Sequence, residues 1–362
     1  MFYLILASET DSGSMGKKVL FKSFTLAGKI SLLWLLLFTM AAIFAHWAIL
    51  QGREMEATPE LAYLPPFTNP AHLLGTDQLG RDVLLYLFLS CRTAWLLSFP
   101  PLVLTTILGV AGGTGAAILG NTGMRINRVN FYVSLFLLLV FLYLSPVLDG
   151  LVPIRYIPLA RTAYWLTCMG LLLYLLIFRG SSSKVSKHIT IPVDEVLEKS
   201  INIWSALPKL LLLLLLSAFG TFSLYSLMGW ICLGYWVLPA RVARTTVLQI
   251  KQEPYYETAK ALGIPFQTKF LNFIWPALQG PILTNFCFAA SGLLGIGSTL
   301  AYVGIGVPAD IPSWGKMLAN ARFSVEAWWL IAFPAALLLV SILSLQTIGQ
   351  QFQKPLDRKR YR

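Results

Sequence analysis

Long uncharged apolar blocks alternate with short charged ones along this chain. The blocks cover residues 30–51, between Lys29 and Arg53, and 93–119, between Arg92 and Arg125. Two more follow at 129–148 and 162–178. Residues 200–240 carry a single charge, Lys209, and are long enough for two spans with a turn at 217–223. The stretch 270–309 is uncharged and holds one span plus entry segments, and a last block lies at 327–348. A bilayer core about 30 Å thick needs roughly 20 apolar residues per helix. The pattern therefore predicts an all-α integral membrane protein with about eight transmembrane helices.

Composition agrees with this reading. The 362 residues are 56% hydrophobic and 12% charged, and the mean hydropathy is +0.68. Soluble domains carry about 25% charge, so a soluble globular fold is excluded. The net charge of +12 does not point to nucleic acid, because of where the cations lie. With eight spans both termini share one side, and the loops on that side hold 20 of the 28 Lys and Arg. The opposite loops hold 7, Lys209 is the remaining one, and the acids divide evenly. Basic residues gather on the cytoplasmic face, so both termini are expected there. Residues 1–7 are apolar but short and lack a basic flank, so the first span is expected to be an uncut membrane helix.

The segment 241–276 carries the most local information. Glu253-Pro254 reads as a helix start, since proline suits a first helical position that needs no amide donor. Tyr255, Ala259 and Leu262 fall at helical spacing on one apolar face. Gly263 is a natural stop, and Pro265 restarts the chain toward a second helix over 266–275 before Pro276 enters the membrane. The apolar face is expected to stay uncovered within so short a loop and to need another protein.

These residues resemble the EAA loop of the permease subunits of bacterial ABC importers. That loop reads Glu-Ala-Ala, three residues, Gly, nine residues, then Ile-x-Leu-Pro. This chain has Glu257-Thr258-Ala259, Gly263 and Phe273-Ile274-Trp275-Pro276 at the same spacing, departing at Thr258, Phe273 and Trp275. A second resemblance narrows the branch. His72-Leu73-Leu74-Gly75-Thr76-Asp77-Gln78-Leu79-Gly80-Arg81-Asp82-Val83 is similar to the segment before the second helix of dipeptide, oligopeptide and nickel permeases, in the second of their two paralogous subunits. Ile311-Pro312-Ser313-Trp314-Gly315-Lys316-Met317-Leu318 is similar to that branch's external loop, and Pro355-Leu356-Asp357-Arg358 to its ending.

The resemblance implies a six-helix permease core at 93–120 and 190–350, after a cytoplasmic tail at 1–29 and a first helix with its external segment at 30–92. The family has no counterpart of 121–189, which is read as an inserted transmembrane hairpin, and 351–362 is a basic cytoplasmic tail. It further implies a multi-pass protein of the bacterial inner membrane, surrounded by lipid. The implied partners are a second paralogous permease, two ABC ATPase subunits and an extracytoplasmic substrate-binding protein. The expected coupling residues are Tyr255, Glu257, Thr258, Ala259, Leu262, Gly263 and Pro276. The substrate is a peptide by default, with nickel or another small solute as the alternative.

No nucleotide site is expected in the chain. A P-loop needs a Gly five positions before its Gly-Lys, and Gly16, Gly28 and Gly315 all lack one. ATP and Mg are therefore expected on the partner ATPases, and hydrolysis with them. The four cysteines form no C-x-x-C pair and His46, His72 and His188 stand apart, so no metal site is expected. A secondary transporter would show internal repeats and carboxylates within its spans; neither is found. Asp77, Arg81 and Asp82 either receive a binding protein or form a folded salt-bridge cluster. Asp310 and Trp314 are candidates for an outer gate. Lys209 reads as a snorkelling residue near the cytoplasmic boundary. Gly109 and Gly113 have GxxxG spacing for close helix approach.

Overall fold

The computed structural model describes residues 25–50, 57–121, 124–127, 188–208, 211, 224–305, 307–308, 311–324 and 326–359. Four helices among these are long and apolar enough to cross a membrane: Leu26–Ile49, Val83–Leu119, Phe266–Val303 and Trp329–Gln353. The expected spans at 129–148 and 162–178, Lys209 and most of 209–223 lie outside the described residues.

The first block forms α1 (Leu26–Leu50). The second forms α2 (Val83–Leu119), which begins ten residues before the expected 93. The expectation placed Arg92 at a boundary, whereas the true start is capped by Asp82. Its Oδ1 accepts the N–H of Leu85 at 2.8 Å, filling one of the orphan donors of the first turn.

A short antiparallel ribbon follows, β1 (Met124–Asn127) paired with β2 (His188–Ile191), Met124 opposite Ile191 and Asn127 opposite His188. This departs from an all-α fold at one small place, near the two ends of the 121–189 segment expected from sequence to be an insertion.

Helix α3 (Val193–Ser205) is followed by α4 (Leu224–Tyr235) and α5 (Val237–Lys251), which meet at Trp236. The expected end of a span at 240 is thus the first turn of α5. Beyond it lie α6 (Pro254–Ala261), α7 (Phe266–Lys269), a π-turn (Phe270–Ile274) and α8 (Trp275–Val303). The outer loop carries α9 (Trp314–Asn320), and α10 (Trp329–Lys359) closes the fold, continuing through most of the expected tail.

The described residues divide into two compact units, one within Met1–Thr114 and Ile201–Arg362, the other within Gly115–Ser200. In the smaller unit the Asn121 carboxamide oxygen accepts the N–H of Glu195 in the first turn of α3 at 3.1 Å. In the larger unit one apolar cluster joins Phe38 of α1, Tyr86 and Leu87 of α2, Trp314 and Met317 of α9 and Leu330 of α10. A second joins Leu97 and Leu102 of α2, Ile231 of α4, Leu293 and Leu294 of α8 and Leu345 of α10.

Helix crossings in this unit rest on small residues. A Cβ on Gly109 would come within 2.6 Å of the Trp236 carbonyl oxygen, and one on Gly315 within 2.1 Å of that of Ser298. Without a strong hydrophobic drive between helices in lipid, such close backbone approach supplies the packing.

Candidate functional site

The turn between α5 and α8, the coupling lever expected from sequence, is shaped by single-residue effects. Glu253 is extended (φ −77°, ψ 137°) and Pro254 opens α6. Gly263 takes φ +70°, a left-handed conformation that costs glycine nothing. Its N–H donates to the Lys260 carbonyl and that of Ile264 to the Ala259 carbonyl, both at 3.1 Å. These two bonds make a Schellman stop, which satisfies carbonyls the helix leaves open. Glu257 sits exposed in the first turn of α6, where a carboxylate suits the positive end of the helix dipole. The Thr258 hydroxyl turns back to the Pro254 carbonyl at 2.9 Å.

The expected apolar face separates into two parts. Tyr255 is 46% and Leu262 69% exposed, whereas Ala259 is 4% exposed and already buried by this chain. Ala259 therefore does not belong to an uncovered face. The helix turns it inward beside Tyr256, which is also buried and has the Lys269 ammonium 5.8 Å from its ring centre. Tyr256 was not singled out from sequence, because a residue's neighbour along a helix points away from it by about 100°. Burial and the nearby Glu253 carboxylate raise the Tyr255 phenol above its ordinary pKa.

The expected second helix does not stand apart. α7, the π-turn and α8 form one continuous rod from Phe266 to Val303. Pro276 falls in its course and cannot donate a hydrogen bond. Just before it the rod widens, and the Trp275 N–H reaches back to the Phe270 carbonyl, the i→i+5 pattern of a π-turn. Ile274 is fully buried at this point, and Tyr255 of α6 lies against Phe273 with ring centres 5.4 Å apart. Tyr255 and Leu262, together with Phe266 (46% exposed), form the open apolar surface of the lever.

On the opposite side of the membrane the sequence-marked residues pack inward. Asp77 is 2% exposed. Its Oδ1 accepts the N–H groups of Leu79 and Arg81, and its Oδ2 the Arg81 guanidinium at 2.6–2.7 Å. The Asp82 Oδ2 meets the His72 Nδ1 at 2.9 Å. The Thr76 carbonyl accepts the Trp329 indole N–H at 3.0 Å. Of the two readings open from sequence, Asp77 takes the folded salt-bridge role, and Arg81 and Asp82 keep partial exposure. Trp314 is buried and donates to the Leu87 carbonyl at 3.2 Å. Asp310 lies outside the described residues.

The fold defines a class, a multi-pass membrane permease. Residues 185–360 match the family described as "Binding-protein-dependent transport system inner membrane component", and the chain carries the permease domain of that family. It is similar to the oligopeptide transport system permease protein OppC of Bacillus subtilis, 22% identical over 99% of this chain and 97% of that one. It is also similar to the peptidoglycan transport system permease protein YejE of Agrobacterium fabrum, 30% identical over 47% and 45%. The OppC of Salmonella typhimurium is 26% identical over 46% and 56%. The protein is thus an inner-membrane permease of a binding-protein-dependent ABC import system.

Proposed function

We propose that this permease forms half of a transmembrane path for peptides, its other half being a second, paralogous permease. Two ABC ATPases bind and hydrolyse ATP with Mg on the cytoplasmic side, and an extracytoplasmic binding protein delivers the substrate. The likeness to one named oligopeptide permease over nearly the whole chain supports the peptide reading.

The observation that carries the coupling role is the short turn, Gly263 to Pro265, that joins α6 to the rod of α7 and α8. Tyr255 of α6, Leu262 at its end and Phe266 at the start of α7 are exposed and open to a partner. The stop at Gly263 is followed after two residues by a rod of 38 residues ending at Val303. At 1.5 Å per residue that rod is about 57 Å long and reaches the outer face. Displacement of α6 by closing ATPases would pass through the turn at Gly263 to Pro265 into α7, and along the rod to the outer end of α8. Glu257 would accept charge-assisted hydrogen bonds from the ATPase groove.

The test is copurification followed by coupled assays. Mild extraction should bring down a second permease and two ATPases, and peptide uptake into proteoliposomes should require ATP. Glu257→Lys should insert and assemble normally yet hydrolyse ATP without moving peptide. Uptake at the wild-type rate in that variant, or uptake by this chain alone, would overturn the reading.

A further inference from the structure

An arginine on the outer half of α2 has an uncharged partner. Arg92 of α2 donates from Nε to the Nδ1 of His46 on α1 at 3.0 Å. Among the described residues no carboxylate lies within ion-pair distance of Arg92. A cation at membrane depth is costly unless something answers it, and a neutral imidazole answers only through one hydrogen bond.

The direction of that bond decides what the pair presents. With Nδ1 accepting, the ring proton of a neutral His46 sits on Nε2. Arg92 retains the N–H groups of both Nη atoms. The pair thus displays donors together with one positive charge, which is the complement of an anionic oxygen cluster.

The level of the pair indicates whose oxygens these are. The membrane-crossing part of α1 is Leu26–Ile49, and Lys29 marks its cytoplasmic end. His46 is three residues from the other end, about 5 Å by helical rise. That is where headgroups meet acyl chains and where tryptophan collects. Trp47, 56% exposed, adjoins His46, while Ile43 at 60% continues the same helix face toward the membrane interior. His46 itself is exposed and Arg92 half-buried. An exposed apolar stripe leading up to an exposed pair of donors matches an acyl chain and its phosphate.

We infer that Arg92 and His46 bind the phosphate of an outer-leaflet phospholipid, tying α1 to α2 through the lipid. The test uses the complete purified transporter, stripped of lipid and titrated with dioleoylphosphatidylglycerol or a phosphate-free glucosyl diacylglycerol, with occupancy read by native mass spectrometry. Wild type should retain the phospholipid in preference to the glucolipid. Arg92→Gln should lower that retention about tenfold, as expected for loss of one charge-assisted contact, with Arg92→Lys between.

Equal retention of both lipids, or no change in Arg92→Gln, would overturn the site. Displacement of the lipid by a dipeptide but not by its C-terminal amide would also overturn it, assigning the pair to a substrate carboxylate. Should Arg92→Gln fail to assemble, Trp47→Cys can be labelled with a maleimide-headgroup phospholipid. Suppression of labelling by excess phosphatidylglycerol, but not by the glucolipid, is expected, and suppression by neither or by both equally would refute the proposal.

Discussion

A Cβ placed on Gly113 would stand 2.2 Å from the carbonyl oxygen of Ala240. Helix α2 therefore meets the first turn of α5 backbone to backbone, with Gly109 one turn earlier against Trp236. The obstructing atoms are main-chain, so neither can swing aside as a side chain would. Gly113→Ala should destabilise the folded permease by about 1–3 kcal/mol, the usual cost of overpacking. Gly112→Ala is the control, since nothing lies within 4 Å of its added methyl. Thermal unfolding in detergent should separate the two, and equal midpoints would refute the contact.

The external turn before α2 depends on a buried charge. Asp77 gives its oxygens to two backbone N–H groups and the Arg81 guanidinium, and Arg81 also lies 5.1 Å over the Tyr86 ring. Asp77→Ala leaves those donors and a half-buried cation without an acceptor. The expected loss is about 3–5 kcal/mol, as for one member of a buried pair removed. Limited proteolysis within 57–82 should accelerate in this variant. Unchanged cleavage would show that the turn stands without the pair.

The loop before α9 is held by Lys316. Its ammonium donates to the Pro308 and Ile311 carbonyls, the latter at 2.8 Å, while Ser313 caps α9 through the Lys316 N–H at 3.3 Å. Lys316→Met removes both carbonyl bonds and should cost about 1–3 kcal/mol, given that hydrogen bonds to charged groups are the stronger kind. Ser313→Ala should cost about 1 kcal/mol as a lost cap. Hydrogen exchange over 311–320 would show faster opening in both, and protection equal to wild type would contradict the assignment.

The start and stop of α6 were legible because each depends on one residue: Pro254 has no N–H to place, and Gly263 alone tolerates φ +70° without strain. Membrane blocks were legible for a similar reason, since uncharged runs need no tertiary information. What escaped depended on distant partners. Arg92 read as a boundary because His46 stands 46 residues away and its acceptor role leaves no trace in the apolar pattern. Gly109 and Gly113 carried the right spacing, but only the position of Ala240 shows which glycines of that run are in contact. The ribbon of β1 and β2 is four residues on each side, too short for alternation to stand out from the flanking apolar blocks.

The division of the α6 face yields the most discriminating prediction. Ala259 lies in the last turn of α6 and Leu262 caps its end three residues on, yet Leu262 is 69% and Ala259 4% exposed. A docking surface must be free in the isolated permease, so Leu262 is available to an ATPase and Ala259 is not. Leu262→Asp should leave the unfolding midpoint of the permease unchanged, because the aspartate remains in water. It should nonetheless weaken ATPase capture by about tenfold or more, since burying that carboxylate unpaired against the partner costs well over the 1.4 kcal/mol that a factor of ten represents. Ala259→Leu should do the reverse in order of events. Overpacking beside Tyr256 should destabilise the permease by about 1–3 kcal/mol before any partner is added, and loss of capture would follow from the distorted lever. Measuring both variants with and without the ATPases distinguishes a surface defect from a folding defect. Full ATPase capture by Leu262→Asp would remove α6 from the interface.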